Sequence, residues 1–365
     1  MTVKYLGLKA LHKLMGIAPK AVQDHKDTVL KCLDDEDTTI RISVLDLLQG
    51  MVNKRSLMDI AKKLLLKIED ADGEYQDHLV ETIIDICSQN NYQFITDFEW
   101  YVSILVELSN VHGTSHGKRI SDQLMDVCIR VSIVREFCAQ KMVDLLNEAR
   151  LTEEGPVEGG VCEVLYAAAW IAGEYAQYAS NHSQIVASLL QPRISTLPGH
   201  IQAVHVQNAL KIYTRLAAAG PKAAAALEQA AGHMKKLLPL FTRSAHLETQ
   251  ERACFAMELV NLVDSLGAAV AGEMVQLFAE TLNPVAPRAQ RKVPVPAGLD
   301  LDAQIHTPPP SDSEDDDDYF ADQRFYDDEP ESRNAQREEY TYEERAQMKK
   351  ERKARHANDP YYLGS

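Results

Sequence analysis

Between Val161 and Ser180 the chain reads Val161-Cys162-Glu163-Val164-Leu165-Tyr166-Ala167-Ala168-Ala169-Trp170-Ile171-Ala172-Gly173-Glu174-Tyr175-Ala176-Gln177-Tyr178-Ala179-Ser180. It has no proline, it is rich in alanine, and its small residues Ala168, Ala172, Ala176 and Ala179 recur at helical spacing. Residues four apart lie on one side of a helix, and methyl side chains let a second backbone come close. Leu165, Trp170, Ile171 and Tyr175 add bulk beside that row. Such a helix cannot cover its apolar surface alone and needs a helix on either side. The stretch therefore predicts one member of a packed helical array.

The same pattern extends in both directions. Val3 to Ala18 predicts a helix, apolar at Tyr5, Leu6, Leu8, Leu11, Leu14 and Met15 and closed by Pro19. It opens almost without a cap, as if an earlier part of the array were absent. Val22 to Leu33 predicts a second helix and Thr38 to Val52 a third, with Asp37 suited to the N-cap and the positive end of the dipole. Leu57–Ile68, Tyr75–Cys87, Trp100–Leu108, Ile120–Val131 and Val134–Leu146 continue the series up to the opening stretch. Ile185–Leu190, Ile201–Ala219, Ala223–Phe241, Arg252–Leu266 and Ala269–Leu282 follow it. Helices start about every 20 residues, so pairs recur about every 40, the period of HEAT-type repeats. One internal echo fits: Asp37 precedes Arg41, and Glu248 precedes Arg252, by four residues at an expected helix start. No convincing alternating strand segment interrupts the pattern. The expected fold is all-α, a HEAT/armadillo-like α-solenoid over residues 1–282, with long outer surfaces for partners.

From Asn283 the composition changes. Pro284, Pro287, Pro294 and Pro296 oppose regular structure, and Pro308-Pro309-Pro310 leads into Ser311-Asp312-Ser313-Glu314 and Asp315 to Asp318. Residues 283–365 are expected to be a disordered, Pro- and acid-rich hinge. Within it, 331–356 is charged all round and suited to a solvent-exposed helix or a mobile segment. From Leu299 to Ser365 there are 9 Lys and Arg against 19 Asp and Glu, so most of the net charge of −16 belongs to this tail. The nearly balanced remainder offers no concentrated basic surface, which argues against nucleic acid as a partner. Ser311 and Ser313 each have an acid three residues on, the pattern an acid-directed kinase such as casein kinase 2 prefers; a merely solvated linker is the plain alternative.

Chemistry is hard to find. The six cysteines are far apart, with no Cys-x-x-Cys, and most sit in apolar helical patterns where reduced buried thiols are expected. His112 and His116 have the spacing of two helical metal ligands, but Gly113 and Gly117 make the segment a turn with no third ligand near. Glu153 to Gly160 reads as a solvated surface loop; as a phosphate cradle it lacks a following Gly-Lys-Ser/Thr and carries the wrong charge. No catalytic residue, cofactor site or metal site is expected. Neither a signal peptide nor a bilayer-long apolar run is present, so the expected compartment is the cytosol.

Several segments resemble the adaptins, the large subunits of clathrin-type adaptor complexes. Asn91 to Val102, with Phe94, Asp97, Trp100 and Tyr101, is similar to their trunk. Ala167 to Tyr175, with Trp170, Gly173, Glu174 and Tyr175, is similar to their Ala-Trp-Ile-x-Gly-Glu-Tyr segment. Tyr5-Leu6-Gly7-Leu8 and Leu45 to Val52 fit the same trunk. Asp72 to Gln76, Val111 to Thr114, Leu299 to Ala303 and Asn358 to Leu363 resemble the delta branch of adaptor complex 3. The resemblance covers essentially the whole chain and matches the C-terminal half of a trunk plus its hinge. It implies a non-catalytic scaffold in a heterotetrameric coat with another large, a medium and a small subunit. It also implies cargo sorting from Golgi or endosomes to vacuole or lysosome, with a small GTPase and cargo tails as indirect partners and peripheral membrane attachment through the complex. The eight named residues are then expected to be packing residues of the family. A soluble HEAT scaffold or transport receptor unrelated to coats, an unrecognised enzyme, and a truncated non-assembling fragment are the competing readings.

Overall fold

The computed structural model describes residues 3–153, 155, 159–278 and 298, and the chain divides into two units, 1–293 and 294–365. Apart from Gly298, the expected hinge, its segment 331–356, and Ser311 and Ser313 lie outside the described residues.

Among the described residues of the first unit every regular element is a helix. The chain opens with α1 (Val3–Met15), α2 (Pro19–Gln23), α3 (Lys26–Lys31), α4 (Thr38–Met51) and α5 (Leu57–Ile68). Next come α6 (Gly73–Tyr92), α7 (Phe98–Leu108), α8 (Gly117–Arg130), α9 (Arg135–Asn147) and α10 (Val164–Glu174). Last are α11 (His182–Leu189), α12 (Gly199–Ala218), α13 (Ala224–Phe241), α14 (Leu247–Leu266) and α15 (Ala268–Gln276). From α4 onward the helices alternate between two layers. The first layer stacks α4, α6, α8, α10, α12 and α14 in order. In the second, α7, α9, α11 and α13 follow one another, and each rests on the first-layer helix that comes after it in sequence. First-layer helices begin at residues 38, 73, 117, 164, 199 and 247, which is the helical-hairpin period of a HEAT-like α-solenoid. One continuous apolar core threads the unit from Leu8 to Met274.

Polar links repeat with the same period. Arg119 Nη1 donates to Glu81 Oε1 (3.2 Å) and its other terminal nitrogen pairs with Asp85. Arg150 Nη1 donates to the Asn110 carbonyl (2.8 Å), Ser188 Oγ to Asn147 Oδ1 (2.7 Å), and Lys211 Nζ to Glu174 Oε2 (2.7 Å). Each ties one hairpin to the next.

Local expectations fail where tertiary contacts decide. The single helix expected over Val22–Leu33 is broken into α2, α3 and a tight turn at Cys32–Asp34. The bend brings Gln23 to the end of α4, where its Nε2 donates to the Met51 carbonyl (2.6 Å). The opening stretch is helical only from Val164 to Glu174, with tight turns at Val161–Glu163 and Ala176–Tyr178. Ala168 and Ala172 therefore share a helix face, but Ala176 and Ala179 leave it. Arg215 of α12 donates to the Glu174 carbonyl (3.2 Å), satisfying one of the acceptors that the ended helix exposes. The expected echo of two acid–Arg pairs also dissolves. Glu248 and Arg252 do pair (2.6 Å), inside a helix that starts at Leu247. Asp37 instead caps α4, accepting from the Thr39 N–H (2.9 Å), while the Arg41 guanidinium lies 4.2 Å from the centre of the Tyr75 ring.

Cys87, Cys128, Cys138 and Cys162 are buried, Cys32 is half-buried and Cys254 exposed. Burial pushes the Cys87 thiol up to about 12. His205 of α12 is fully buried, with Nδ1 2.9 Å from the Leu189 carbonyl. A carbonyl only accepts, so Nδ1 carries the proton and the ring is neutral. Burial lowers the His205 pKa to about 4. Above pH 6.5 the ring is neutral folded or unfolded and contributes nothing. As pH falls from 6.5 to about 4 only the unfolded chain takes up the proton, so the folded state loses about 3 kcal/mol of stability. Urea unfolding at pH 7 and pH 4.5 is expected to differ less in His205→Gln than in the parent chain; an equal difference would remove this histidine as the cause.

Candidate protein-interaction surface

Two corners of the array hold the eight family-like residues. At the first, helical geometry ends near Ser88, and Asn90, Asn91 and Tyr92 all take left-handed φ values (51°, 57° and 63°). Asparagine tolerates this region better than most residues because its short amide bonds locally; a tyrosine there is strained. Tyr92 is held by its surroundings. Its hydroxyl donates to Asp126 Oδ2 (2.6 Å), and its ring lies 6.1 Å from Phe98 and 6.0 Å from Tyr101. Burial, followed by the Asp126 hydrogen bond, raises the Tyr92 pKa. The chain then passes half-buried Phe94 and reaches Asp97, whose carboxylate accepts from the N–H groups of Glu99 (3.0 Å) and Trp100 (3.2 Å) and so starts α7. Tyr101 is fully buried and its hydroxyl donates to Gln123 Oε1 of α8 (3.1 Å); Trp100, one position back, is only half-buried.

The second corner is the end of α10. A β-carbon on Gly173 would lie 2.2 Å from Asn208 Oδ1 and 2.5 Å from Asn208 Cβ, so only glycine fits where α10 crosses α12. A β-carbon on Gly117 would meet the Gly160 carbonyl oxygen at 1.9 Å, so the start of α8 is pinned against the approach to α10 in the same way. Glu174 and Lys211 form a largely covered ion pair between α10 and α12. Tyr175 stands edge-on to Trp170 with ring centres 6.2 Å apart, and Arg135 lies 4.9 Å from the Tyr175 centroid. Arg135 also donates to the carbonyls of Cys128 (3.1 Å) and Ile129 (2.8 Å), closing the end of α8. Burial pushes the Tyr175 hydroxyl up to about 12.

Neither corner brings together groups that could move a proton, attack a substrate or hold an ion. Among the described residues no cluster of three His, Cys, Asp or Glu is placed to bind a metal ion. His116 lies just before α8 and His112 in the turn ahead of it, as expected of a loop. No helix among the described residues is long and apolar enough to cross a membrane.

What the array presents is surface. On α14, Thr249, Ala253, Ala256, Val260 and Val263 face the core, while Leu247, Phe255, Leu262 and Leu266 form a second apolar stripe, 38% to 74% exposed, on the other side. Periodicity analysis of the sequence missed this stripe because Leu262 and Leu266 look like core residues of the same helix. On α1, Val3, Leu6 and Leu14 are exposed opposite the half-buried Tyr5, Leu11 and Met15. A helix apolar on two sides is a helix with a second neighbour to cover.

These features define a helical-repeat α-solenoid. The chain belongs to the adaptin family: the family model described as "Adaptin N terminal region" matches residues 1–264. It is 48% identical over 369 aligned residues to "AP-3 complex subunit delta-1" of Bos taurus, covering 100% of this chain and 30% of that protein. It is 44% identical over 333 residues to "AP-3 complex subunit delta" of Dictyostelium discoideum, covering 84% of this chain and 29% of that protein. The chain thus spans about three tenths of the length of these relatives. Its fold is similar to that of a chain in a structure titled "Homology model of the full-length AP-3 complex in an intermediate open conformation". There the TM-score is 0.61 at 20% identity, over 75% of this chain and 52% of the other.

Gly173→Ala is expected to cost about 1–3 kcal/mol, because the Asn208 side chain occupies the space and its Cβ cannot rotate away. Thermal unfolding of the variant checks this, and an unchanged midpoint would mean that α10 and α12 slide apart at little cost. Asn91→Val is expected to cost about 1–2 kcal/mol and Asn91→Gly almost nothing, since only the first resists a left-handed φ. Equal losses in both would point to the asparagine side chain instead.

Proposed function

We propose that the chain is trunk and hinge of a delta-type large subunit of an AP-3-like adaptor complex, a non-catalytic scaffold without cofactor. Residues 1–282 are the trunk and 283–365 the hinge. The observation that carries the reading is the second apolar stripe of α14, at the far end of an adaptin-family array. That stripe is the meeting place for the other large subunit. The medium and small subunits join the same heterotetramer, and a small GTPase and cargo tails engage it indirectly. The expected placement in the C-terminal half of a trunk is corrected by the family match, which is to the N-terminal region that its description names. Phe94, Asp97, Trp100, Tyr101, Trp170, Gly173, Glu174 and Tyr175 serve as packing residues that fix the two corners. The complex sorts cargo from Golgi and endosomes towards vacuole or lysosome and sits peripherally on those membranes. Ser311 and Ser313 are substrates of an acid-directed kinase.

Affinity capture of the tagged full chain tests the assembly. A second large adaptin with medium and small subunits is the expected recovery. Phe255→Glu/Leu262→Glu is expected to lose the large partner with helical circular dichroism unchanged, because both side chains already face solvent. Undiminished recovery by that variant would move the interface elsewhere. Recovery of transport cargoes, a phosphatase or chaperones alone would overturn the adaptor reading.

A further inference from the structure

The second helix layer has a gap. α7, α9, α11 and α13 pack on one another in succession, whereas α5 and α7 are splayed apart on α6. The gap is a groove of about 1030 Å³, walled by α5 and α7 and floored by Ile68 and Gln76. Each wall helix buries one face in the core, and Ile68 and Ile104 at the edges of those faces also line the groove. α5 buries Leu57, Ile60, Ala61, Leu64 and Ile68, and α7 buries Tyr101, Val102, Ile104, Leu105 and Leu108. The groove takes Met58, Leu65 and Leu66 from α5 and Trp100 from α7, with the buried Ile104 lining it beside them. Leu66 is 57% exposed and Met58 38%. Leu64-Leu65-Leu66 cannot all face one core, since consecutive residues on a helix point about 100° apart. Solvation of the α6 face would call for polar residues there, and the sequence supplies leucine, methionine and tryptophan.

The rim carries a charge bias. Asp59, Glu69 and Glu107 border the groove together with Lys62 and His112. None of these three carboxylates is in an ion pair among the described residues. An apolar trough with acidic banks complements an apolar ridge with basic flanks. A helix about 10 Å across would fill a volume of this size with roughly two to three turns. We propose that the α5–α7 groove docks an amphipathic, basic-flanked α-helix of a partner protein. Large apolar side chains spaced i, i+3, i+4 and i+7 insert between Leu66 and Trp100, and Lys or Arg on either side meet Asp59, Glu69 and Glu107. The site lies on the second layer and is independent of the α14 stripe.

The test is fluorescence anisotropy with the full chain and three 18-residue helical peptides. One has leucine at the spacing above with lysine flanks, one has the same leucines with glutamate flanks, and one has the lysine peptide's composition scrambled. The lysine-flanked peptide is expected to bind at least tenfold tighter than the other two and to weaken as salt rises. Leu66→Glu is expected to lose at least tenfold, and Asp59→Lys/Glu69→Lys/Glu107→Lys to reverse the preference between flanks. All four side chains are exposed, so circular dichroism of the variants should match the parent. No saturable binding, equal binding of both flanks, or binding indifferent to Leu66→Glu would overturn the proposal. So would a dimer of the chain that Leu66→Glu converts to monomer, because the occupant would then be a second copy.

Discussion

Where α10 crosses α12, the chain has no room for one more carbon atom. The missing side chain of Gly173 lets Asn208 lie in the groove of the neighbouring helix, and the Glu174–Lys211 pair and the Arg215 contact close over the same crossing. The rest of the array depends on crossings of this kind. A single helical hairpin here could not bury enough apolar surface to offset the entropy of ordering it. It is stable because both its neighbours press on it, and they can press only as closely as the residues between them allow. Gly173 in the first layer thus sets how closely two helices approach, while large side chains such as Ile40, Leu79 and Tyr213 fill the core around them.

The polar contacts follow from that packing and do not replace it. Arg119, Arg150, Ser188 and Lys211 each reach back one hairpin, to Glu81, Asn110, Asn147 and Glu174. Most lie at least partly in solvent, where an ion pair contributes at most about 1 kcal/mol. Their effect is on register: they fix which turn of one hairpin faces which turn of the next. The strained corner at Asn90–Tyr92 does the same for direction, turning the chain out of the first layer without a glycine.

Much of this was readable from the sequence, and the exceptions have a common cause. Helix identity follows from periodicity, so α4, α5, α7, α12 and α13 lie close to where apolar spacing puts them. Asp37 and Asp97 are caps whose chemistry is local. The endings were different. Nothing between Gly173 and Ala179 halts a helix on its own; α10 stops where Arg215 of α12 supplies a donor to the Glu174 carbonyl. The break after Gln23 exists because the end of α4 accepts a hydrogen bond there. The apolar stripe of α14 and the trough between α5 and α7 were hidden for a related reason. An apolar residue on a helix declares that it will be covered, and only the neighbours reveal whether this chain covers it.

The one-hairpin reach of the polar contacts has an evolutionary side. A chain in which each unit answers only to its two neighbours can change length by whole hairpins, since removing one unit brings like faces together. Insertion of a single residue earlier in α10 would be far harsher, rotating Gly173 by about 100° and driving even the Ala172 methyl into Asn208. Lineages of such chains should therefore diverge freely in their connecting loops and in the number of repeats, while helix lengths in the first layer stay nearly frozen. The array is a ratchet for sequence change, permissive in steps of about 40 residues and unforgiving in steps of one.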